Sequence, residues 1–282
     1  GFAADGRAGM ARENKKILYA RAQEAVKKAE ELNTNLSDIK KDLGGPDPVK
    51  SLAAAMLLSK SKGAFSGKDA AQDLQKALGV AKQMNDEALM GKFEEVAVDA
   101  KQKFTATELV GLTKTVKQNK IGMIEKRQGK ALSDEEKENI EKDFERGLQG
   151  AYKKEGKLDV FLDYKIIEAG KDTANTSDRM AMIEKLKLDK LSAHDLVNNK
   201  TLIQDATMRQ VLSEGRDKKF YTSLRNKAAD DGDGDTQTAV ANILKLQHTR
   251  ATAEAEKQAA SNTQNEGGAT EDEDEEQKGF DF

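Results

Sequence analysis

Cysteine and tryptophan are absent from this chain of 282 residues, which contains only two prolines and 5% aromatic residues. The lack of cysteine excludes disulfides, thiolate metal ligands and cysteine nucleophiles. The scarcity of aromatic side chains argues against a single thick core. It favours long helices in thin layers, because Ala, Leu, Lys and Glu are strong helix formers.

No stretch of the sequence has the pattern of a β-strand or of a membrane helix. β-branched and aromatic residues never gather into alternating runs. No apolar run approaches the roughly 18 residues that a bilayer span needs, and no signal peptide is visible near Gly1. We therefore expect an all-α protein that resides in the cytoplasm or inside a virion.

Hydrophobic periodicity and capping signals predict a succession of helices. The predicted ranges are 11–43, 49–62, 68–78, 80–103, 107–126, 134–152, 158–169, 177–189, 193–213, 216–229 and 236–260. A hydroxyl residue followed three positions later by a carboxylate predicts helix starts at Thr105, Ser133 and Ser192, with a weaker signal at Ser66. No repeat of about 20 to 50 residues is found, which argues against a solenoid.

The expected architecture is an elongated multi-helix protein in three parts. Residues 1–45 form a flexible segment followed by a heptad helix, residues 46–260 a multi-helix body, and residues 261–282 a disordered acidic tail. The glycines and the proline at 44–46 predict the end of the heptad helix.

A heptad pattern runs through the first predicted helix. Apolar or small residues recur at alternating steps of four and three, at Leu18, Ala22, Ala25, Ala29, Leu32, Leu36, Ile39 and Leu43. This spacing predicts a coiled-coil seam through which the helix pairs with a partner or with a second copy. An ordinary amphipathic helix packed on its own domain is the alternative, because so few heptads are near the minimum for a coiled coil.

Charge is unevenly distributed along the chain. The net charge is −3, but the residues from Glu266 onward carry −7 and the remainder carries +4. From Glu271 to Phe282 the tail resembles the C-terminal tails of single-stranded DNA-binding proteins, including those of some phages. The resemblance implies docking on partner proteins with the terminal aromatic in an apolar pocket, so Phe280 and Phe282 are predicted to bind a partner. Lys278 interrupts the charge, and the body lacks the β-rich pattern of an OB-fold.

Recognisable catalytic or cofactor-binding motifs are absent from the sequence. The two histidines, His194 and His248, form no HExxH motif, and no P-loop or strand-linked GxGxxG occurs. The carboxylates are expected on charged helix faces beside lysines rather than paired in an apolar cleft. The run Asp230–Asp235 begins like an EF-hand loop, but Thr236 replaces its glycine and Asn242 its bidentate glutamate. We expect an acidic turn between helices there, and neither enzymatic activity nor a cofactor.

These observations favour a non-enzymatic structural or assembly protein that acts through helix–helix association. Its partners would be proteins, as in a homo-oligomer or a larger assembly, in the style of phage scaffolding or internal virion and ejection proteins. The alternative is a nucleic-acid-associated accessory protein, whose mildly basic body contacts phosphates and whose acidic tail docks on partners. A helical enzyme or regulatory module whose site a single sequence does not reveal is the third hypothesis.

Overall fold

A computed structural model describes the backbone of residues 2–61 and 63–266, and the side chains of residues 11–61 and 63–262. The described residues form fourteen α-helices, one short 3₁₀ helix and no strand, which confirms the all-α prediction. The predicted acidic tail from Glu271, including Phe280 and Phe282, lies outside the described residues.

The chain divides into two compact units, one ending at Met182 and the other beginning at Ile183. The helices of the first unit are α1 (Phe2–Glu31), α2 (Leu36–Asp42), α3 (Pro48–Lys60), α4 (Ala70–Gln83), α5 (Glu87–Val98), α6 (Ala106–Gln128), α7 (Asp134–Lys154) and α8 (Leu158–Glu168). Helix α9 (Thr176–Lys185) crosses the boundary. The second unit contains a 3₁₀ helix (Leu188–Lys190), α10 (Ala193–Asn198), α11 (Lys200–Gln204), α12 (Ala206–Gly215), α13 (Lys218–Asp230) and α14 (Gly234–Glu266).

Two central helices organise the core of the first unit. Helix α3 packs against α1, α2, α4 and α5, and helix α6 packs against α4, α5, α7 and α8. The central position of α3 follows from its composition, because a helix that is apolar on nearly every side must be covered on nearly every side. Asp47 caps its first turn by accepting from the amides of Val49 and Lys50, and Pro48 occupies the first helical position.

The predicted helix 11–43 is wrong as one continuous element, since α1 ends at Glu31 and α2 begins at Leu36. Asn33 adopts the left-handed conformation, with φ of 49°. The Thr34 amide donates to the carbonyl of Ala29 (3.0 Å), and the Asn33 amide to that of Glu30 (3.2 Å). These two bonds define a Schellman motif, which satisfies the last carbonyls of α1 and turns the chain away from the helix axis. Helix α1 also extends back to Phe2, into the segment predicted to be flexible.

Helix α4 also ends in a Schellman motif, and the predicted break at Gly79 is wrong. Helix α4 continues through Gly79 to Gln83, and the left-handed residue is Asn85, with φ of 52°. The Asp86 amide donates to the carbonyl of Ala81 over 3.0 Å, closing a second Schellman motif. The helix therefore tolerates its glycine and ends at an asparagine.

The predicted helix 193–213 is divided into α10, α11 and α12. Asn199 takes a non-helical conformation, with φ of −107° and ψ of 58°, between α10 and α11. Asp205 is extended and caps α12, because its carboxylate accepts from the Met208 amide at 2.8 Å. The N-cap residue Asp205, which lies inside the predicted apolar pattern, thus ends α11 and starts α12.

The strongest capping predictions are confirmed. Thr105 and Ser133 each form a reciprocal capping box, with Glu108 and Glu136 respectively. Ser192 accepts from the Asp195 amide at the start of α10. The weaker signal at Ser66 is displaced, because Asp69 is the residue that precedes α4.

The core of the second unit forms around the first half of α14, which packs against α11, α12 and α13. Ala239, Val240 and Ile243 of α14 are buried. Tyr221 of α13 is also buried, and its hydroxyl donates to the carbonyl of Leu212 at 2.7 Å. This bond satisfies the only polar atom of a large buried side chain.

Helices long and apolar enough to cross a bilayer do not occur among the residues that the structure describes.

Candidate interaction surface

The predicted seam residues differ in exposure along α1 and α2. Ala22, Ile39 and Leu43 are buried, and Leu32 is 69% exposed. The half-buried positions are Leu18, Ala25, Ala29 and Leu36. Since α1 and α2 both pack against α3, the buried seam positions are covered within their own unit, as in the alternative of an amphipathic helix packed on its own domain. Pairing through the seam with a partner or a second copy stays a prediction.

Helix α1 is much longer than the helix that covers it. Its 30 residues extend about 45 Å, whereas the 13 residues of α3 extend about 20 Å. The side chains from Arg12 to Ile17 are all exposed, and Ile17 is 44% exposed. We call residues 12–17 the outer segment of α1, a basic helical surface with one large apolar side chain.

A single hydrogen bond fixes the base of the outer segment. The Tyr19 hydroxyl donates to Asp86 Oδ2 at 2.7 Å, and Asp86 also caps α5 by accepting from the Leu89 amide at 2.9 Å. Burial and the neighbouring Asp86 carboxylate raise the pKa of Tyr19, so the phenol keeps its proton. Arg12, Lys15 and other residues line an adjacent open cleft of about 540 Å³.

The strongest electrostatic feature of the first unit joins α6, α7 and α8. Lys117 Nζ lies 3.0 Å from both Glu145 Oε1 and Glu168 Oε2. Lys165 Nζ lies 3.2 Å from Glu145 Oε2 and 2.5 Å from Glu168 Oε1. The Tyr164 hydroxyl, with one proton to donate, lies 2.7 Å from Glu145 Oε1 and 2.8 Å from Glu168 Oε2. We call these five side chains the α6–α8 network.

Protonation states in the α6–α8 network suit a structural contact. Burial alone would raise the pKa of Glu168, but hydrogen bonds from Lys165, Tyr164 and Lys117 outweigh it and lower the pKa to about 2. Burial likewise opposes the charge of Lys117, but its two glutamate partners raise its pKa. Burial raises the pKa of Tyr164. None of these three shifts brings a pKa closer to neutral pH, where the pKa of a general acid or base would need to lie.

Glu94 and Asp159 are carboxyl groups whose pKa burial raises, as in a general acid, and Glu94 is the one that lines a groove. Burial raises its pKa, and the charge of Lys120 opposes the shift. Its Oε1 atom is buried, and no described residue forms a hydrogen bond with it. It lines a groove of about 460 Å³ between α5, α6 and α7, together with Phe144 and Leu148. No serine, threonine or histidine is among the lining residues, whose other charged members are Glu95, Lys120 and Asp143.

The residues that suggested metal chemistry form ordinary helix contacts. His194 lies in the first turn of α10, as predicted, and His248 is exposed on α14. Asp233 begins α14, where its carboxylate binds the amide and hydroxyl of Thr236 and lies 2.9 Å from Lys200 Nζ. Within the described part of the chain, no group of three or more His, Asp or Glu side chains could hold a metal ion.

Sequence reasoning missed a groove beside the start of α6. Phe65 and Phe104, both buried, form its floor, and Lys68, Lys101 and Lys103 are exposed along it. We call it the lysine groove. Its lysines come from two loops more than 30 positions apart in the sequence, and no periodic pattern connects them.

Comparisons with known proteins found no family model, no curated protein and no solved structure that matches the chain.

Proposed function

We propose that this chain is a non-enzymatic assembly protein and that α1 pairs with α1 of a second copy. The observation that carries the proposal is the length of α1 beyond its cover on α3, which leaves the outer segment exposed. A second copy that covered this surface would remove the exposed part of Ile17 from water, which would stabilise the pairing.

The exposed face of α1 has the composition of an interface between copies. Ile17 and Leu32 are fifteen positions apart, so they lie within about 60° of each other around the helix. They face away from Val26, which is buried. Between them the face carries charges of both signs, at Arg21, Glu24, Lys28 and Glu31. Two copies of such a face can meet without net repulsion.

The same face supports association but not a parallel two-stranded coiled coil through the predicted seam. Ala22 is fully buried in its own unit, so a partner helix must approach from the other side. The narrower prediction of a scaffolding or internal virion protein stays a prediction.

Sedimentation velocity of the full chain across a concentration range tests the proposal. Ile17→Asp and Leu32→Asp should each reduce the oligomer, because a carboxylate within the contact would be desolvated. Ser37→Asp is the matched control, since it adds the same charge at an exposed polar position of α2, outside the face of α1. An oligomer that resists both test substitutions, or a wild-type chain that is monomeric throughout, would contradict the proposal.

The outer segment also favours one alternative, contact with nucleic acid. Arg12, Lys15 and Lys16 are exposed on it, and cations on an exposed helix can neutralise phosphates. Under this alternative, Lys15→Glu with Lys16→Glu would abolish salt-dependent binding of single-stranded DNA, and Ile17→Asp would leave that binding intact. Self-association without DNA binding would favour assembly.

A further inference from the structure

Helix α13 of the second unit concentrates positive charge without acidic neighbours. No acidic residue occurs between its capping residue Asp217 and its last residue Asp230. Its four cations are Lys218, Lys219, Arg225 and Lys227. No described residue forms an ion pair with any of the four. Helix α7, in contrast, mixes acids with its bases and forms pairs such as Lys142 with Glu138. Unneutralised charge of one sign on a surface helix favours a polyanionic partner.

The buried stripe of α13 determines where these cations lie. Tyr221, Leu224 and Ala228 are buried, at the spacing of a single helix face, and α13 packs against α14. Since successive residues are rotated by about 100° around a helix, Lys219 and Asn226 lie on the side opposite this stripe. Both are exposed. These two residues therefore mark the middle of the exposed face of α13.

Both edges of the exposed face carry positive charge. Lys218 lies at one edge and Lys227 at the other, each roughly 80° to 100° around the helix from Lys219, and all three are exposed. Arg225 is half-buried on the same edge as Lys218. The major groove of B-form DNA is about 12 Å wide and admits an α-helix, with a phosphate backbone on either side. A helix with cations at both edges can therefore place one against each backbone.

The other residues of the face favour duplex DNA over an acidic protein or a single strand. Ser223 and Asn226 are exposed among the lysines, and such side chains commonly contact phosphates and base edges. None of the large apolar side chains found exposed among the described residues belongs to α13, so the face lacks the apolar centre of a protein interface. Phe220 is half-buried, with the Arg216 guanidinium 4.4 Å from its ring centroid, and Tyr221 is buried. No open aromatic platform for stacking single-stranded bases results.

We propose that α13 binds duplex DNA, with its exposed face in the major groove. Lys218 contacts one phosphate backbone and Lys227 the other, and Lys219 and Asn226 lie over the base edges between them. The aspartates at 230–235 repel phosphates and confine the contact to the part of the helix that precedes them. This site lies within the second unit, goes beyond the assembly role proposed above and does not depend on pairing through α1.

Fluorescence anisotropy of a labelled DNA duplex, titrated with the full chain at several salt concentrations, tests this proposal. Lys219→Ala with Lys227→Ala should weaken binding about tenfold and lower the slope of log affinity against log salt by about 2, because each phosphate contact contributes about 0.9. The control pair, Lys245→Ala with Lys257→Ala, removes the same charge at exposed positions of α14 and should leave the slope unchanged. Equal losses from the two pairs would overturn the proposal.

A second variant adds charge instead of removing it. Ser223→Glu introduces a carboxylate within the exposed face and keeps every cation, so it should abolish binding by repulsion of the phosphates. Gln258→Glu adds the same charge at an exposed position of α14 and should leave binding intact. Circular dichroism establishes that each variant is folded, and duplex binding that survives Ser223→Glu would contradict the proposal.

Further outcomes identify the alternatives. Failure of the unmodified chain to bind the duplex would overturn the proposal, as would tighter binding of the single strand of the same sequence. Tighter binding of polyglutamate would assign the face to an acidic protein. Binding that is lost on Lys15→Glu with Lys16→Glu, but kept on Lys219→Ala with Lys227→Ala, would assign the contact to the outer segment of α1. A monomeric chain that binds the duplex through α13 would support this proposal and contradict only the assembly role.

Discussion

The two units join their helices through different kinds of polar contact. In the first, the α6–α8 network holds three helices together by charged groups, with Lys117 between Glu145 and Glu168. In the second, partly exposed ion pairs such as Lys200–Asp233 occur as well, but the buried tyrosine and Gln247 of α14 donate to backbone carbonyls, Tyr221 to that of Leu212 and Gln247 to those of Ser213 and Arg216. The stability that buried ion pairs contribute depends on pH, and removing one partner destabilises the fold strongly because the other charge stays buried. Hydrogen bonds to carbonyls contribute less each, and they do not titrate.

The largest expected effect is in the first unit, from Glu168→Gln. The substitution removes one charge and leaves Lys117 and Lys165 with an excess of positive charge in a mostly buried site. We expect a loss of about 3 kcal/mol in the free energy of unfolding, measured by urea denaturation, with amide exchange in α6 and α8 to locate it.

Glu138→Gln provides the control for that loss. Glu138 pairs with Lys142 at 2.7 Å, but both side chains are more than 60% exposed. An exposed pair of this kind should contribute nothing measurable. Equal effects of the two substitutions would remove the distinction drawn for the α6–α8 network.

Acid should weaken the first unit through the same carboxylate. The pKa of Glu168 is lowered from its ordinary value of 4.5 to about 2 in the folded protein, so the unfolded chain binds the proton more tightly. The stabilisation is complete above the unfolded pKa and is lost as the pH falls toward the folded one, a loss of about 2 kcal/mol by pH of about 2.5. Amide exchange in α8 over this range measures it.

Glu168→Gln should flatten that pH dependence in α8. The Lys200 hydrogen bond lowers the pKa of Asp233 in the second unit as well, so exchange in α14 serves as the comparison and should respond less. An α8 profile that keeps its full acid sensitivity in the Glu168→Gln chain would show that another group is responsible.

Two tyrosines allow a matched test of neutral contacts. Tyr221→Phe removes the hydrogen bond to Leu212 and should cost about 1 kcal/mol, with no change between neutral and mildly acidic pH. Tyr152 is equally buried, but its hydroxyl has no hydrogen-bond partner among the described residues. Tyr152→Phe should therefore be neutral or stabilising in thermal denaturation, and a loss equal to that of Tyr221→Phe would contradict this reading.

The smallest effect is expected at the start of α14. Asp233→Asn keeps an oxygen that can accept from the Thr236 amide but loses the charge that pairs with Lys200. The loss should be less than about 1 kcal/mol. Thermal denaturation in low and high salt measures it, and a difference that persists at high salt would assign the effect to the cap rather than to the ion pair.

Helix starts were predictable from the sequence because their signals are local. At Thr105 and Ser133 both partners of the capping box lie within four residues, and no distant contact is needed to complete it. The all-α class was predictable for the same reason, since periodicity is read over short windows.

Two helix ends were misplaced because asparagine gives a weaker signal than glycine. Asn33 and Asn85 both adopt the left-handed conformation, which asparagine reaches at modest cost. Gly79 attracted the predicted break, but its neighbours Leu78 and Val80 are buried, and packing outweighs the roughly 1 kcal/mol that a glycine costs inside a helix. The heptad spacing persisted across Asn33 because the apolar positions of both α1 and α2 face α3.

The α6–α8 network and the lysine groove could not be read from one sequence. Glu145 and Glu168 are 23 positions apart, each among other charged residues, so each resembles a solvated surface position. Only the packing of α7 and α8 on α6 brings them to the same lysine. Position in the sequence carries no information about such convergence.

The Schellman turn at Asn33 also fixes the number of residues that connect α1 to α2. One inserted residue in the segment 32–35 would interrupt the hydrogen bonds from the Asn33 and Thr34 amides to the last carbonyls of α1. Ile39 and Leu43, now buried, would then lose part of their packing against α3. The length of this four-residue connection is therefore set by the packing of the two helices that it joins. Surface loops that do not join packed helices are free to vary in length.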